Sequence, residues 1–254
     1  MAKELIIQNA GKRFGDLWVL RNICARVHPG RITAFVGPNG AGKTTLFHLI
    51  TGDYVPDEGH ISIDGRKITG LPPWKVATLG VGRQFQDVRV FGGLTVLDNV
   101  RVALMHSREQ SPIQFWRYVF ASSPVGGAPA KKANEWLEFA GLQGYSNSLA
   151  RELSFGEQKL LSLATILASG ATILLLDEPT AGLSHGMINR LVRTLEDVVA
   201  EKGISIALIE HNMTVVTSLA YWVYFLNEGK VAFTGRSDHV LGNREVREVY
   251  MGLS

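Results

Sequence analysis

Cysteine is nearly absent: Cys24 is the one cysteine among 254 residues. No internal disulfide and no cysteine metal cluster can form from it, and such usage suits a reducing compartment. Long hydrophobic runs are absent too. The longest apolar stretches, such as Ala171–Leu176, are strand-sized, far short of the roughly 20 residues of a membrane-spanning helix. Lys3 and Glu4 are followed by only a short apolar stretch, so no secretory signal is expected. The expectation is a soluble chain that meets a membrane only through a partner. There is no repeat and no low-complexity tract. The net charge is +3, but Lys and Arg are scattered in runs of at most two, so no nucleic-acid partner is expected.

What is present is ordinary globular material. Hydrophobic residues make up 46% and charged residues 19%, enough to bury a core without staples. Strand-like and helix-like segments alternate along the chain. Glu4–Gln8 alternates apolar and polar like an edge strand. Arg31–Val36 reads as a buried strand ending at Gly37, and Thr44–Ile50 as the helix after it. Gly59–Ile63 and Val81–Phe85 are further strands. Thr95–Met105 has helical spacing in Val96, Val100 and Leu104. Ser122–Pro129 is a Pro-, Gly- and Ser-rich loop, and Lys131–Ala140 is helical. Then come a helix at Phe155–Ala168, a buried strand at Thr172–Leu176, a helix at Gly186–Val199, a strand at Ile204–Ile209 and a helix at Met213–Leu219. Two last strands, Val223–Leu226 and Lys230–Phe233, flank a turn at Asn227–Gly229. This alternation implies an α/β core with a parallel sheet and right-handed crossovers. Residues 87–152 read as a mainly helical insertion in one domain spanning 1–254.

Gly37-Pro38-Asn39-Gly40-Ala41-Gly42-Lys43-Thr44 fits G-x-x-x-x-G-K-[ST]. Glycines let backbone N–H groups curl around a phosphate with no Cβ in the way. The helix that follows adds its positive end to the same anion. Lys43 suits a position between the β- and γ-phosphates, and the Thr44 hydroxyl suits Mg²⁺. A chance Gly-rich turn is the alternative, and the strand before the motif and the helix after it argue against that. Ile173–Pro179 is an apolar strand ending in two acids, Asp177 and Glu178. Burial explains the apolar run but not the acids, which are costly near a core without partners. At the carboxyl end of a strand, where ligands of open α/β sheets gather, Asp177 suits the Mg²⁺ shell through water. Glu178 then suits proton acceptance from attacking water. A surface turn before Pro179 is the alternative, and the phosphate loop upstream argues against it.

Leu153-Ser154-Phe155-Gly156-Glu157-Gln158 contains a capping box, Ser154 with Glu157, at a helix start. Capping is part of its meaning. The helix end, the Ser154 hydroxyl and the bare Gly156 also make a second anion site. One chain offers no second phosphate to fill it, whereas a dimer does if each chain presents this helix to the other's nucleotide.

In this order the motifs resemble the nucleotide-binding subunits of ATP-binding cassette (ABC) transporters, from Leu5 to the C-terminus. The resemblance implies a P-loop NTPase core with a mainly parallel sheet, an N-terminal antiparallel β subdomain and an inserted helical subdomain. Residues 1–86 and 153–254 would form the nucleotide-binding core, and 87–152 the helical subdomain with the signature at its end. It implies ATP and Mg²⁺ as ligands. Gly37, Pro38, Asn39, Gly40, Ala41, Gly42, Lys43, Thr44 and Thr45 would bind the phosphates, with Ser154 and Gly156 serving the opposed copy. Phe14 matches the aromatic that stacks on adenine. Gln86, rather than Gln84, matches a glutamine that senses Mg²⁺ and the membrane partner. His211 matches the switch histidine at the γ-phosphate. The implied catalytic set is Glu178, His211 and Gln86, and the metal set Thr44, Gln86 and Asp177. Ser184 and Asn212 depart from the wider pattern, standing where Asp is frequent.

Residues 83–100 and 246–252 resemble the larger ATPase subunit of branched-chain amino acid importers, a family whose members for urea or amides look similar. The implied partners are integral-membrane permease subunits, a second ATPase subunit (a copy or a sibling) and, indirectly, an extracytoplasmic solute-binding protein. The implied place is the cytoplasmic face of the inner membrane, held there peripherally. Val90, Phe91 and Leu94 form an apolar cluster among glycines in a stretch expected to be exposed, which suits a partner helix; packing of the arm onto the core is the alternative. Rival readings are a soluble cassette ATPase of DNA repair or translation, a P-loop kinase, and a module that binds ATP without hydrolysis. The first would bring two cassettes or a sustained heptad, the second has no need of the signature, and Glu178 argues against the third.

Overall fold

A computed structural model describes residues 2–84, 87–106, 128–244, 246 and 248. Phe85, Gln86, most of the Ser122–Pro129 loop and the ending from residue 249 lie outside the described residues. The chain divides into two compact units. The first takes Met1–Arg83, Thr172–Ala181 and Leu195–Ser254, and the second Gln84–Ala171 and Gly182–Thr194.

The strands are β1 (Leu5–Phe14), β2 (Leu17–Val27), β3 (Ile32–Val36), β4 (Glu58–Ile63), β5 (Arg66–Lys67), β6 (Val81–Gln84), β7 (Ile173–Asp177), β8 (Ser205–Ile209), β9 (Trp222–Asn227) and β10 (Lys230–Arg236). One sheet is antiparallel, in the order β2-β1-β4-β5. The other runs β10-β9-β3-β8-β7-β6. In it β3 pairs parallel to β8 and β9, β7 pairs parallel to β8, and only β10 is antiparallel to β9 among the pairings described.

β3, β7 and β8 are buried along their whole length, which is why each reads as a mainly apolar run. Alternation still sorts their side chains by face. Phe35 packs with Leu46, Phe47 and Ile50 of the helix Lys43–Thr51 and with Ile7, Leu20 and Ile61 of the antiparallel sheet. Ala34 and Val36 point the other way, onto Val216 and Val240 of the helices Met213–Leu219 and Ser237–Gly242. Burying a side chain such as Phe35 or Leu46 stabilises by roughly 1.5–3 kcal/mol each.

The expected edge strand at Glu4–Gln8 is corrected. β1 runs on to Phe14 and pairs on both sides, with β2 and β4. β2 and the short helices Pro73–Thr78 and Ser237–Gly242 were not legible in the sequence.

In the second unit the helices Val96–His106, Ala128–Phe139 and Phe155–Ala168 pack against one another. Val96, Val100 and Leu104 are buried, as their spacing predicts, with Leu137, Leu160 and Leu163. Thr95 accepts from Asp98 N–H at 3.0 Å, capping the first helix. Buried Asn99 then braces the segment before it: Phe91 N–H donates to Asn99 Oδ1, and Asn99 Nδ2 donates to the Phe91 carbonyl.

Candidate functional site

Three segments of the first unit leave the carboxyl edge of the parallel sheet. The phosphate loop follows β3, the acidic pair ends β7, and His211 follows β8. The loop's glycines have specific reasons. Gly37 has φ +148°, and a Cβ there would lie 2.0 Å from the Leu226 carbonyl oxygen. Gly42 has φ +97°, and a Cβ would lie 2.5 Å from Leu20 Cδ2. With Gly42 at the N-cap, the first amides of the helix Lys43–Thr51 remain for an anion. Lys43 is buried, and its Nζ donates to the carbonyls of Gly37 and Pro38 at 2.8 and 2.9 Å. Burial lowers this ammonium's pKa, opposed by the charges of Glu178 and Asp177. Thr44 is exposed and Thr45 half-buried in the same first turn.

Asp177 is buried at the end of β7. Burial pushes its carboxyl up, opposed by the adjacent Arg83 guanidinium, whose Nη2 lies 3.2 Å from Asp177 Oδ2. Arg83 Nη1 also lies 3.2 Å from His48 Nδ1 and 3.5 Å from Asp53. Glu178, next in line, takes φ +50°, a left-handed conformation that non-glycine residues adopt at a cost. That turn brings Glu178 Oε1 to 3.0 Å from His211 Nε2, and Glu178 N–H donates to the Ile209 carbonyl. Phe14, at the end of β1, is 44% exposed. It meets Tyr54 edge to face at 5.3 Å, with Lys12 Nζ 5.5 Å from its ring centroid. An exposed ring can stack on a ligand, which a core phenylalanine cannot.

In the second unit Ser154 caps the helix Phe155–Ala168 as the sequence predicts. It accepts from Glu157 N–H, while Glu157 Oε2 accepts from Ser154 N–H at 2.9 Å and from the Ser154 hydroxyl at 2.6 Å. The Ser154 hydroxyl bond is the main cause of the lowered Glu157 pKa. Gly156 is bare for packing as well, because a Cβ would lie 2.6 Å from Met187 Cγ.

The sequence-predicted residues Lys43, Asp177, Glu178 and His211 thus stand at one sheet edge of the first unit, while Ser154 and Gly156 belong to the second. Gln86 lies outside the described residues. The sequence reading missed Arg83 and Glu210. Glu210 is 2% exposed and was legible only as an acid directly after the apolar run of β8.

A phosphate loop between a parallel strand and a helix, with two acids at the end of another parallel strand, β7, defines a P-loop nucleotide-binding ATPase domain. The family model described as ABC transporter matches residues 20–181. The "High-affinity branched-chain amino acid transport ATP-binding protein BraF" of Pseudomonas aeruginosa is 34% identical over 244 residues, 94% of each chain. The protein of the same description named LivG from Salmonella typhimurium is 32% identical over 248 residues, 98% of this chain and 97% of that one. Among solved structures, an ATP-binding cassette of an ABC transporter in its ADP conformation superposes with a TM-score of 0.85. It is 29% identical, covering 99% of this chain and 100% of that one. The chain belongs to the ABC transporter family, as an ATP-binding, ATP-hydrolysing subunit. Among the described residues no helix is long and apolar enough to cross a membrane.

Proposed function

We propose that the chain powers a branched-chain amino acid importer, binding ATP in a dimer that closes on ATP and reopens on hydrolysis. The relatives' names support the cargo. The observation that carries hydrolysis is the 3.0 Å pairing of Glu178 with His211 at the edge that also bears the phosphate loop. Gly37–Thr45 hold the phosphates, with the Lys43 ammonium placed between β and γ, and Phe14 stacks on adenine. Glu178 takes a proton from water as the water oxygen bonds to the γ-phosphorus. The bond to the β–γ bridging oxygen breaks, and ADP leaves with that electron pair. His211 orients Glu178 and contacts the γ-phosphate.

The Thr44 hydroxyl and the Asp177 carboxylate are hard oxygen donors of the kind Mg²⁺ takes, and Gln86 completes this proposed set. When bound, Mg²⁺ neutralises charge on the β- and γ-phosphate oxygens. Arg83 holds the Asp177 carboxylate in place for that role. Ser154 and Gly156 serve the nucleotide of the opposed subunit, a copy or a sibling. Residues 87–152 act as the arm that meets permease subunits, which hold the chain at the cytoplasmic face of the inner membrane. An extracytoplasmic solute-binding protein delivers cargo to those subunits.

The dimer is tested with Glu178→Gln, which keeps shape while removing the base and its repulsion of the γ-phosphate. The variant should elute as a dimer from size-exclusion chromatography in ATP and as a monomer without it. Monomeric elution by a variant shown to bind ATP would count against the dimer.

A further inference from the structure

The Glu178–His211 pair joins two strand exits, and a third carboxylate ties those exits together. Glu210, the first residue after β8, is buried, and each of its oxygens accepts two hydrogen bonds. Oε1 accepts from the Thr180 N–H at 2.9 Å and from the Thr180 hydroxyl at 2.6 Å. Oε2 accepts from the N–H groups of His211 at 3.1 Å and Asn212 at 3.3 Å. Thr180 lies two residues beyond Glu178, and it is itself buried. Asn212 caps the helix Met213–Leu219 through its side chain, which accepts from Val215 N–H. One carboxylate therefore fixes the backbone after Glu178, the backbone of His211 and the start of the next helix.

The distribution of donors explains why an acid stands there. At least four donors converge on the two oxygens among the described residues, and a carboxylate offers acceptors on both sides. An amide would turn an NH₂ toward N–H groups on one side, and an apolar side chain would leave buried donors unpaired. Burial of an acid is costly in general, so a packing role alone would be met more cheaply by an apolar residue. The strained φ of Glu178 also needs surroundings that over-determine it, and the bond from Thr180 supplies one such restraint.

We propose that Glu210 is a positioning residue for hydrolysis, holding His211 and the Glu178–Thr180 turn so that the two catalytic side chains meet. This rests on the proposed roles of Glu178 and His211. Glu210 is buried, and it acts on the chemical step by fixing the geometry of the groups proposed to meet the substrate. Misplacement of reacting groups by about 1 Å can cost on the order of 10²-fold in rate.

The test uses the purified full chain and measures kcat, KM and ATP affinity for Glu210→Gln, Thr180→Val, His211→Ala and the double variant Glu210→Gln/His211→Ala. Glu210→Gln should lower kcat by roughly 10- to 10²-fold, with KM and ATP affinity within about threefold of wild type, since the phosphate loop is untouched. In the His211→Ala background it should cause little further loss, because residues acting as one unit are not additive. A merely structural Glu210 would give multiplying losses in the double variant, and an unchanged kcat would overturn the proposal outright. If Glu210→Gln does not fold, Thr180→Val carries the test. A reduced kcat with normal KM supports the proposal, and a wild-type kcat overturns it. Full activity in His211→Ala would instead remove the role given to His211, whichever way Glu210→Gln behaves.

Discussion

The hydrogen bonds described for the Lys43 ammonium stay in its own loop: Nζ donates to the Gly37 and Pro38 carbonyls, six and five residues away. In the proposed site, this ammonium beside two acids serves charge recognition rather than packing. Lys43→Ala should therefore fold and melt near wild type while losing nucleotide binding or turnover. Calorimetric ATP binding and phosphate release check both halves, and wild-type activity in the folded variant would remove the phosphate-loop assignment. At this scale the placement of the phosphate loop and the acids at strand ends was legible from the sequence, whereas His211 was singled out through the family resemblance. Arg83 and Glu210 were not. Their roles come from partners 94 and 30 positions away, and spacing along a chain carries no information about such contacts. Gly156 was half legible: its place in the motif was plain, but its contact with Met187 was not.

Helices with clear start signals or boundaries were legible to the residue. The helices Phe155–Ala168 and Met213–Leu219 match their expected bounds. β2 was missed because its alternation changes phase. Leu20 is buried, and then Ile23, Ala25 and Val27 are, so the inward set moves from even to odd positions. The pairing shows why: Ala10 to Lys12 spans two residues, while their partners Ile23 and Leu20 span three. The extra residue forms a bulge, with Asn22 at φ +51°. β1 was cut short at Gln8 for the same reason, since Asn9 has φ +51° and the register shifts between Ile7 and Ala10. The segment around Phe91 shows the reverse case, irregular but firmly held. Asn99 braces Phe91, Ala150 N–H donates to the Leu94 carbonyl and Arg151 N–H to that of Gly92. Phe91 is nonetheless 58% exposed. A fixed, exposed aromatic suits a partner's helix better than it suits the core. Phe91→Ala should lose association with permease subunits in pull-down and lose transport, with the ATPase activity of the isolated chain largely kept. Normal uptake by the variant would remove the docking assignment.

For the whole molecule, the order of motifs mattered more than any one of them. A phosphate loop alone allows kinases, repair ATPases and transport ATPases. In the proposed dimer the capped helix at Ser154, between the loop and the acids in the chain, separates these, because the anion site assigned to it has a use only when a second subunit supplies the nucleotide. The central claim is that Glu178 is the base of an ATPase, and steady-state phosphate release at saturating Mg²⁺-ATP tests it most directly. Wild-type chain should turn over ATP, and Glu178→Gln should bind ATP yet release phosphate roughly 10²–10⁴-fold more slowly, the usual contribution of a positioned base. Equal rates for the two proteins would contradict it.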